Sequence, residues 1–339
     1  MDRATQYAGG VRFAWLLALV FWAQSEALAS GPAIEGVHVG FAGRYRVGFW
    51  TPVEVQLQGG EHESQATLEL ILPDGDDVNT RVASEPFTLL PGERHATLMY
   101  VKFGRVESSL GVELRVGGEV VDHRTFTPGP GSASFRPALS SRHKLVLALG
   151  TTDESKSPLG IDEALGRRQR DAAEPVAVVT LEDVRRLPTR WIGYEGVDWL
   201  VISADDAQLH AALGANPQRV GALNEWVELG GRLLLAAGAD APRWFAPEAP
   251  LAQFLPGKLA GPTRLPRAGA LETYSGTSIQ IPFTPGRRAI DAIKLLDVAG
   301  VVEAQDGDLP LVVRSPRAFG TIVFVAVDLG RAPLGGWQG

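Results

Sequence analysis

The spacing of apolar residues changes once along this chain, and that change limits what it can fold into. From Ile34 to about Thr127 the period is two. "PVEVQLQG" puts Val53, Val55 and Leu57 on one face and Glu54, Gln56 and Gln58 on the other. "ATLELIL", "HATLMYVKF" and "GVELRVGGEVVDHRTF" continue the alternation, separated by turn signals at Pro73–Asp77, Pro91–Glu93 and Gly117–Gly118. Short alternating runs with such turns predict an Ig-like β-sandwich over 34–127. Gly117–Gly118 marks a tight hairpin. "TPGPGSASFRP" (Thr127–Pro137) reads as a linker, placed at 128–140.

Beyond it, "KLVLALG", "EPVAVVTL", "VDWLVIS" and "RLLLAAG" are unbroken apolar runs, the mark of strands buried on both faces. A polar helix is expected around Ile161–Ala172. A second helix is expected in "NPQRVGALNEWVELGG": Asn216 as cap, Pro217 in the first turn, Val220, Leu223 and Val227 as apolar stripe, and Gly230 or Gly231 as stop. Such alternation predicts a parallel α/β sheet with helices on both faces over 141–339. Ala241–Arg288 is Pro-rich and reads as a long lid. "LPLVVRS" and "GTIVFVAVDL" read as a closing hairpin around Pro316–Gly320. The last strand is followed by little sequence, so a C-terminal truncation is one expectation.

"LPTRWIGYEGVDWLVIS", "LNEWVELGGRLLLAAG" and "PLVVRSPRAFGTIVFVAVDL" together resemble a class I glutamine amidotransferase-like domain. The order of a sandwich before such a domain is similar to that of exported proteins of planctomycete-type bacteria. The resemblance implies a flavodoxin-like fold. It also implies a G-x-C-x-G elbow whose Cys is completed by His and Glu. Here the elbow is "AAGADA", Ala236 to Ala241, and the chain contains no cysteine. No G-x-S-x-G replaces it. His143 and His210, the histidines after the linker, both precede the elbow. With no nucleophile and no base assigned to the elbow, the reading is a pseudoenzyme-type domain.

Arg3 and Arg12 precede the apolar run Phe13–Ala23, and Ala27 and Ala29 form an A-x-A site. Residues 1–29 are therefore expected to be a signal peptide, with membrane association if it stays uncleaved. The chain is expected in the periplasm or cell envelope, with another envelope protein as partner. Net charge is −7, and the short basic cluster Gly166–Arg170 is flanked by Asp162, Glu163, Asp171 and Glu174, which argues against nucleic acid. No cofactor motif is present and no cofactor is expected.

Two sets of candidate site residues remain. Ser203, Asp205, Asp206, Gly238 and Asp240 follow strands at their carboxyl ends, where open α/β sheets bind ligands. Their carboxylates could serve acid/base chemistry or a hard cation in a hydrolase acting on envelope polymers, or Asp205 and Asp206 could simply cap a helix. Arg190, Trp191, Tyr194 and Trp50 could form an aromatic binding surface for a sugar or peptide, or could cover the edges of their sheets. "PDGDDVN" reads as a polar turn in preference to a calcium loop. The leading function is a non-catalytic envelope protein that scaffolds or binds. A carboxylate- or metal-dependent hydrolase and a carbohydrate-binding protein are the alternatives.

Overall fold

The computed structural model describes residues 31–150, 174–181, 183–203, 207–283 and 289–337. The signal segment, the helix expected at Ile161–Ala172, and Asp205 and Asp206 lie outside the described residues.

The alternating half forms eight strands: β1 (Ala33–Val39), β2 (Trp50–Gln58), β3 (Ser64–Pro73), β4 (Asn79–Ala83), β5 (Phe87–Leu89), β6 (Arg94–Lys102), β7 (Leu110–Val116) and β8 (Glu119–Phe126). One antiparallel sheet has the order β1-β2-β6, and the other β4-β3-β7-β8, with β5 also on β3. The inward residues of both merge into one core, in which Val53, Val55, Leu57, Leu68, Leu70, Val112 and Leu114 are all buried. Each alternation in the sequence thus becomes one face of a sheet. β7 and β8 turn on Gly117 (φ 59°) and Gly118 (φ 89°), a two-residue turn whose left-handed backbone suits glycine. Asp74 Oδ1 accepts the amides of Asp76 and Val78, so the "PDGDD" stretch is a hydrogen-bonded polar turn.

The expected linker is pinned to this core. Phe135 is buried against Tyr45 and Phe103, and Leu139 donates its amide to Tyr45 O.

The second half contains β9 (Lys144–Leu149), β10 (Val176–Leu181), β11 (Trp199–Ser203), α1 (Ala207–Gly214), α2 (Pro217–Glu228), β12 (Arg232–Ala236), α3 (Ala241–Trp244), β13 (Lys258–Leu265), α4 (Gly269–Ser275), β14 (Ile290–Leu296), β15 (Val301–Asp306), β16 (Leu309–Arg317) and β17 (Gly320–Val325). Its main sheet has the order β10-β9-β11-β12-β17-β16-β15. The first five strands run parallel, and β16 runs antiparallel to both its neighbours, β17 and β15. β13 and β14 form a separate antiparallel ribbon.

This corrects the expected architecture. Among the described residues strand makes up 44% and helix 15%, in four sheets, and the large sheet is mixed. That is too little helix for a flavodoxin-like α/β domain of amidotransferase type. The physical reason lies in Ala241–Arg288. Pro242, Pro247, Pro250, Pro256, Pro262 and Pro266 remove amide donors and restrict the preceding residues, so α3 and α4 stay short and β13 forms instead. The expected lid is therefore partly sheet. α1 and α2 pack on one buried cluster with Leu147, Leu200 and Leu233, while α4 packs on another with Leu311, Val323 and Val325.

α2 buries Val220, Leu223 and Val227 as the stripe requires. Asn216 makes no side-chain cap, however. Its Nδ2 donates to Ala212 O and its Oδ1 accepts from Arg219.

The halves meet at Arg46, which is only 8% exposed. Its guanidinium donates to Gly196 O at 3.2 Å, Asp198 Oδ2 at 3.0 Å and Ser141 O at 2.6 Å, and lies 4.1 Å over the Phe49 ring. Asp198 Oδ2 also accepts the Leu145 amide, at the start of β9. Removing one partner of a buried pair leaves the other uncompensated, at a cost of about 3–5 kcal/mol. Arg46→Ala is expected to lower the unfolding free energy by about that amount in urea titration. A loss under about 1 kcal/mol, as for an exposed pair, would contradict a buried clamp.

Candidate functional site

The predicted residues separate into two places. The first is the carboxyl end of the parallel strands. Ser203 is buried at the end of β11. Gly238 follows β12 and helps line a cavity of about 10 Å³ with Ala239, Ile290, Asp291, Asp328, Arg331 and Ala332. That volume admits about one water. Asp240 Oδ2 accepts from both Arg331 Nη atoms at 3.3 Å. Asp328, 6% exposed, accepts the Gly330 amide at 2.8 Å through Oδ1. Its Oδ2 lies 3.0 Å from Arg331 Nε but off the N–H axis, so that contact is coulombic. Burial pushes the Asp328 carboxyl above its ordinary value, against the opposing pull of the Gly330 amide and Arg331. Arg331 thus stands between two carboxylates, where an added cation would have to sit. Among the described residues no three His, Cys, Asp or Glu side chains group to hold a metal ion. Sequence reasoning missed Asp328 and Arg331, although "VDLGR" follows an apolar strand just as Ser203 does.

The second place is the joint. Residues 184–186 and 191–194 form two 3-10 turns before β11, and the second packs against β2 and α2. Here the expected aromatic surface needs correction. Tyr194 is wholly buried, with its ring 6.3 Å from Phe41 and 5.6 Å from Trp226, and it donates to Pro188 O. Burial raises its hydroxyl pKa far above the ordinary value. Trp191 is half-buried against the same core. Both rings are packing residues. The Tyr100 hydroxyl accepts the amides of Thr189 and Arg190 at 2.9 and 3.2 Å. A Cβ on Gly193 would come within 2.6 Å of Pro188 and of the Tyr100 ring, so only glycine permits this approach.

Arg190 and Trp50 do come together, in a groove of about 660 Å³. This is the size of small-ligand sites. One wall is β6 from His95 to Tyr100, the other is Val82–Phe87, and Thr189, Arg190 and Ile192 also line it. Phe87 and His95 stack at 4.8 Å with an interplanar angle of 3°. Trp50 donates its amide to Glu195 Oε2 at 2.7 Å, and Lys102 Nζ lies 5.3 Å from its ring centre. One face of that ring therefore already carries a cation.

The β6 wall has a backbone property as well. Gly40 donates to Pro52 O, so even-numbered residues of β2 bond towards β1. The odd ones bond towards β6, and Val53 opposes Met99. Gly59 donates to Glu93 O and Gly48 to Phe103 O, which places odd-numbered residues of the β6 stretch on the β2 side. Ala96, Leu98 and Tyr100 therefore turn their N–H and C=O groups away from β2, into the groove. Among the described residues β6 pairs only with β2.

His38, on β1, lies 3.8 Å from Glu54 on β2. Burial, then Arg186 from across the joint, hold its pKa below 6.5, with Glu54 pulling the other way.

The family profile described as a domain of unknown function, DUF8726, matches residues 34–129. No curated protein matches the chain. Among solved structures, the sporulation control protein of Bacillus subtilis is similar at 18% identity and a TM-score of 0.21, over 29% of this chain and 48% of that one. The Bacteroides uniformis β-glucuronidase is similar at 8% identity and 0.26, over 63% and 36%. A ThuA-like protein of Bacteroides uniformis is similar at 9% identity and 0.30, over 55% and 82%. The chain thus spans about half the length of the sporulation control protein. Likeness at this level assigns no activity.

Two outcomes follow from this geometry. By residue-resolved hydrogen exchange, the amides of Thr97 and Met99 are expected to be protected and those of Ala96, Leu98 and Tyr100 to exchange fast. Uniform protection along β6 would contradict an open edge. The second concerns acid. A histidine whose folded pKa lies below 6.5 contributes its full stability above 6.5, and that contribution is lost as pH falls towards the folded value. His38→Gln should therefore flatten the decline of urea stability below pH 6.5. An unchanged slope would exclude this role.

Proposed function

We propose that this chain is a non-catalytic binding protein of the cell envelope, whose ligand lies in the groove between β6, Val82–Phe87 and Thr189–Ile192. The carrying observation is the groove itself: about 660 Å³, with Arg190, Trp50, Phe87 and His95 among its lining. Two further points support binding over catalysis. The turn after β12 offers Ala236, Ala237, Gly238 and Ala239, none of which can act as a nucleophile. The strand-end carboxylates Asp240 and Asp328 are engaged by Arg331 around a cavity of about 10 Å³. That space is too small for a polymer substrate. The envelope location rests on Arg3, Arg12, the apolar run Phe13–Ala23 and the A-x-A pattern at Ala27–Ala29.

The test is selection of ligands for the full chain from two pools, a random linear dodecapeptide library and an oligosaccharide array. Each ligand is then titrated against Ala83→Trp, which fills the groove from an exposed wall position. Ligands are expected to lose at least about tenfold in affinity on the variant. Failure to obtain ligands from either pool, or ligands indifferent to Ala83→Trp, would overturn the proposal.

A further inference from the structure

We infer that the groove takes an extended polypeptide, which adds as a strand to the free edge of β6 and places a carboxylate on Arg190. This rests on the groove being the binding site, and it names the ligand class.

The backbone carries the argument. Ala96, Leu98 and Tyr100 present N–H and C=O groups along one side of β6, and all three line the groove. Their repeat is two residues of strand, about 7 Å. An incoming strand offers donors and acceptors at that same repeat, which is the geometry of strand addition.

The edge is also unprotected by the usual devices. Proteins blunt exposed edges with Pro, inward charges or bulges. Between Arg94 and Lys102, β6 reads His-Ala-Thr-Leu-Met-Tyr-Val, without proline or a carboxylate, and its register with β2 is unbroken. The opposite wall limits what the edge can accept. Val82–Phe87 stands across the groove, where Ser84 leaves the ladder and donates its amide to Leu68 O. Phe87 of that wall stacks on His95, so the two walls meet at that end and the open part of the edge runs from Ala96 to Tyr100. A second copy of the chain would have to bring a whole sheet edge into the same space.

Side chains supply a polarity. Arg190 is exposed, lines the groove, and has no ion pair among the described residues. Its amide is fixed by the Tyr100 hydroxyl, which anchors its backbone at the Tyr100 end of the edge. An arginine there pairs with a carboxylate, either an acidic side chain or a peptide's C-terminus. Val82, Phe87, Leu98, Met99 and Ile192 give apolar positions for side chains of the added strand.

The experiment starts from dodecapeptides selected from the random library on the full chain. Each is resynthesised with single backbone N-methyl groups along its length and titrated against wild type. Strand addition predicts losses of up to about tenfold at every second position and little change between them. Leu98→Pro removes one outward amide, a change an edge strand tolerates, and should weaken binding by about tenfold. Arg190→Glu should weaken peptides bearing the carboxylate but not their amide counterparts. On binding, the Ala96, Leu98 and Tyr100 amides should become protected from exchange.

A flat N-methyl profile would overturn the inference, and it is read on wild type whether or not Leu98→Pro folds. A wild-type dimer that Leu98→Pro makes monomeric in sedimentation would assign the edge to a second copy and also overturn it. Groove-dependent oligosaccharides without groove-dependent peptides would overturn strand addition and leave the binding function standing. Failure of both pools would overturn both.

Discussion

The buried Arg46 guanidinium holds the two halves of this protein in one arrangement. A charge so placed must be compensated, and its three partners come from two segments remote in sequence: Ser141, and Gly196 with Asp198. Asp198 stands just before β11 and also accepts the Leu145 amide of β9. One ion pair therefore ties the amino ends of two adjacent parallel strands to the sandwich. Glu195 adds a second tie through the Trp50 amide, and Tyr100 a third through Thr189 and Arg190. The groove exists because these contacts bring Thr189–Ile192 against β6.

The two candidate places differ in what they leave free. At the strand ends, the charged groups answer one another: Arg331 meets Asp240 and Asp328, and about one water fits beside them. In the groove, three backbone donors and three acceptors face outward, and the Arg190 side chain has no ion pair among the described residues. Satisfied groups stabilise a fold, whereas open groups lining a cavity are available to a ligand.

Much of the fold was legible. The alternation at Val53, Val55 and Leu57 became a buried face, and Gly117–Gly118 a two-residue turn. The apolar runs became parallel strands, and Pro316 to Gly320 lies at a hairpin end. The helical layers were not legible, because prolines after β12 divert the chain into the β13–β14 ribbon. β15 was missed, although Gly307 between two apolar runs is a turn signal.

The site was less legible than the fold. Tyr194 and Arg190 stand four residues apart, and nothing local says that one is core and the other groove. Arg46 finds Asp198 across 152 residues. "HATLMYVKF" reads as a strand, but whether that strand is an edge depends on which strands pair elsewhere.

The measurement closest to the central claim is the distance between the halves. The chain has no cysteine, so spin labels can be placed at Glu119→Cys on the sandwich and Leu229→Cys after α2 without background. Pulsed electron–electron resonance should give one narrow distance population, which broadens when Arg46→Ala is added. A broad or multiple distribution in the otherwise unaltered chain would show that Arg46 does not fix the joint, and the groove would then have no stable second wall.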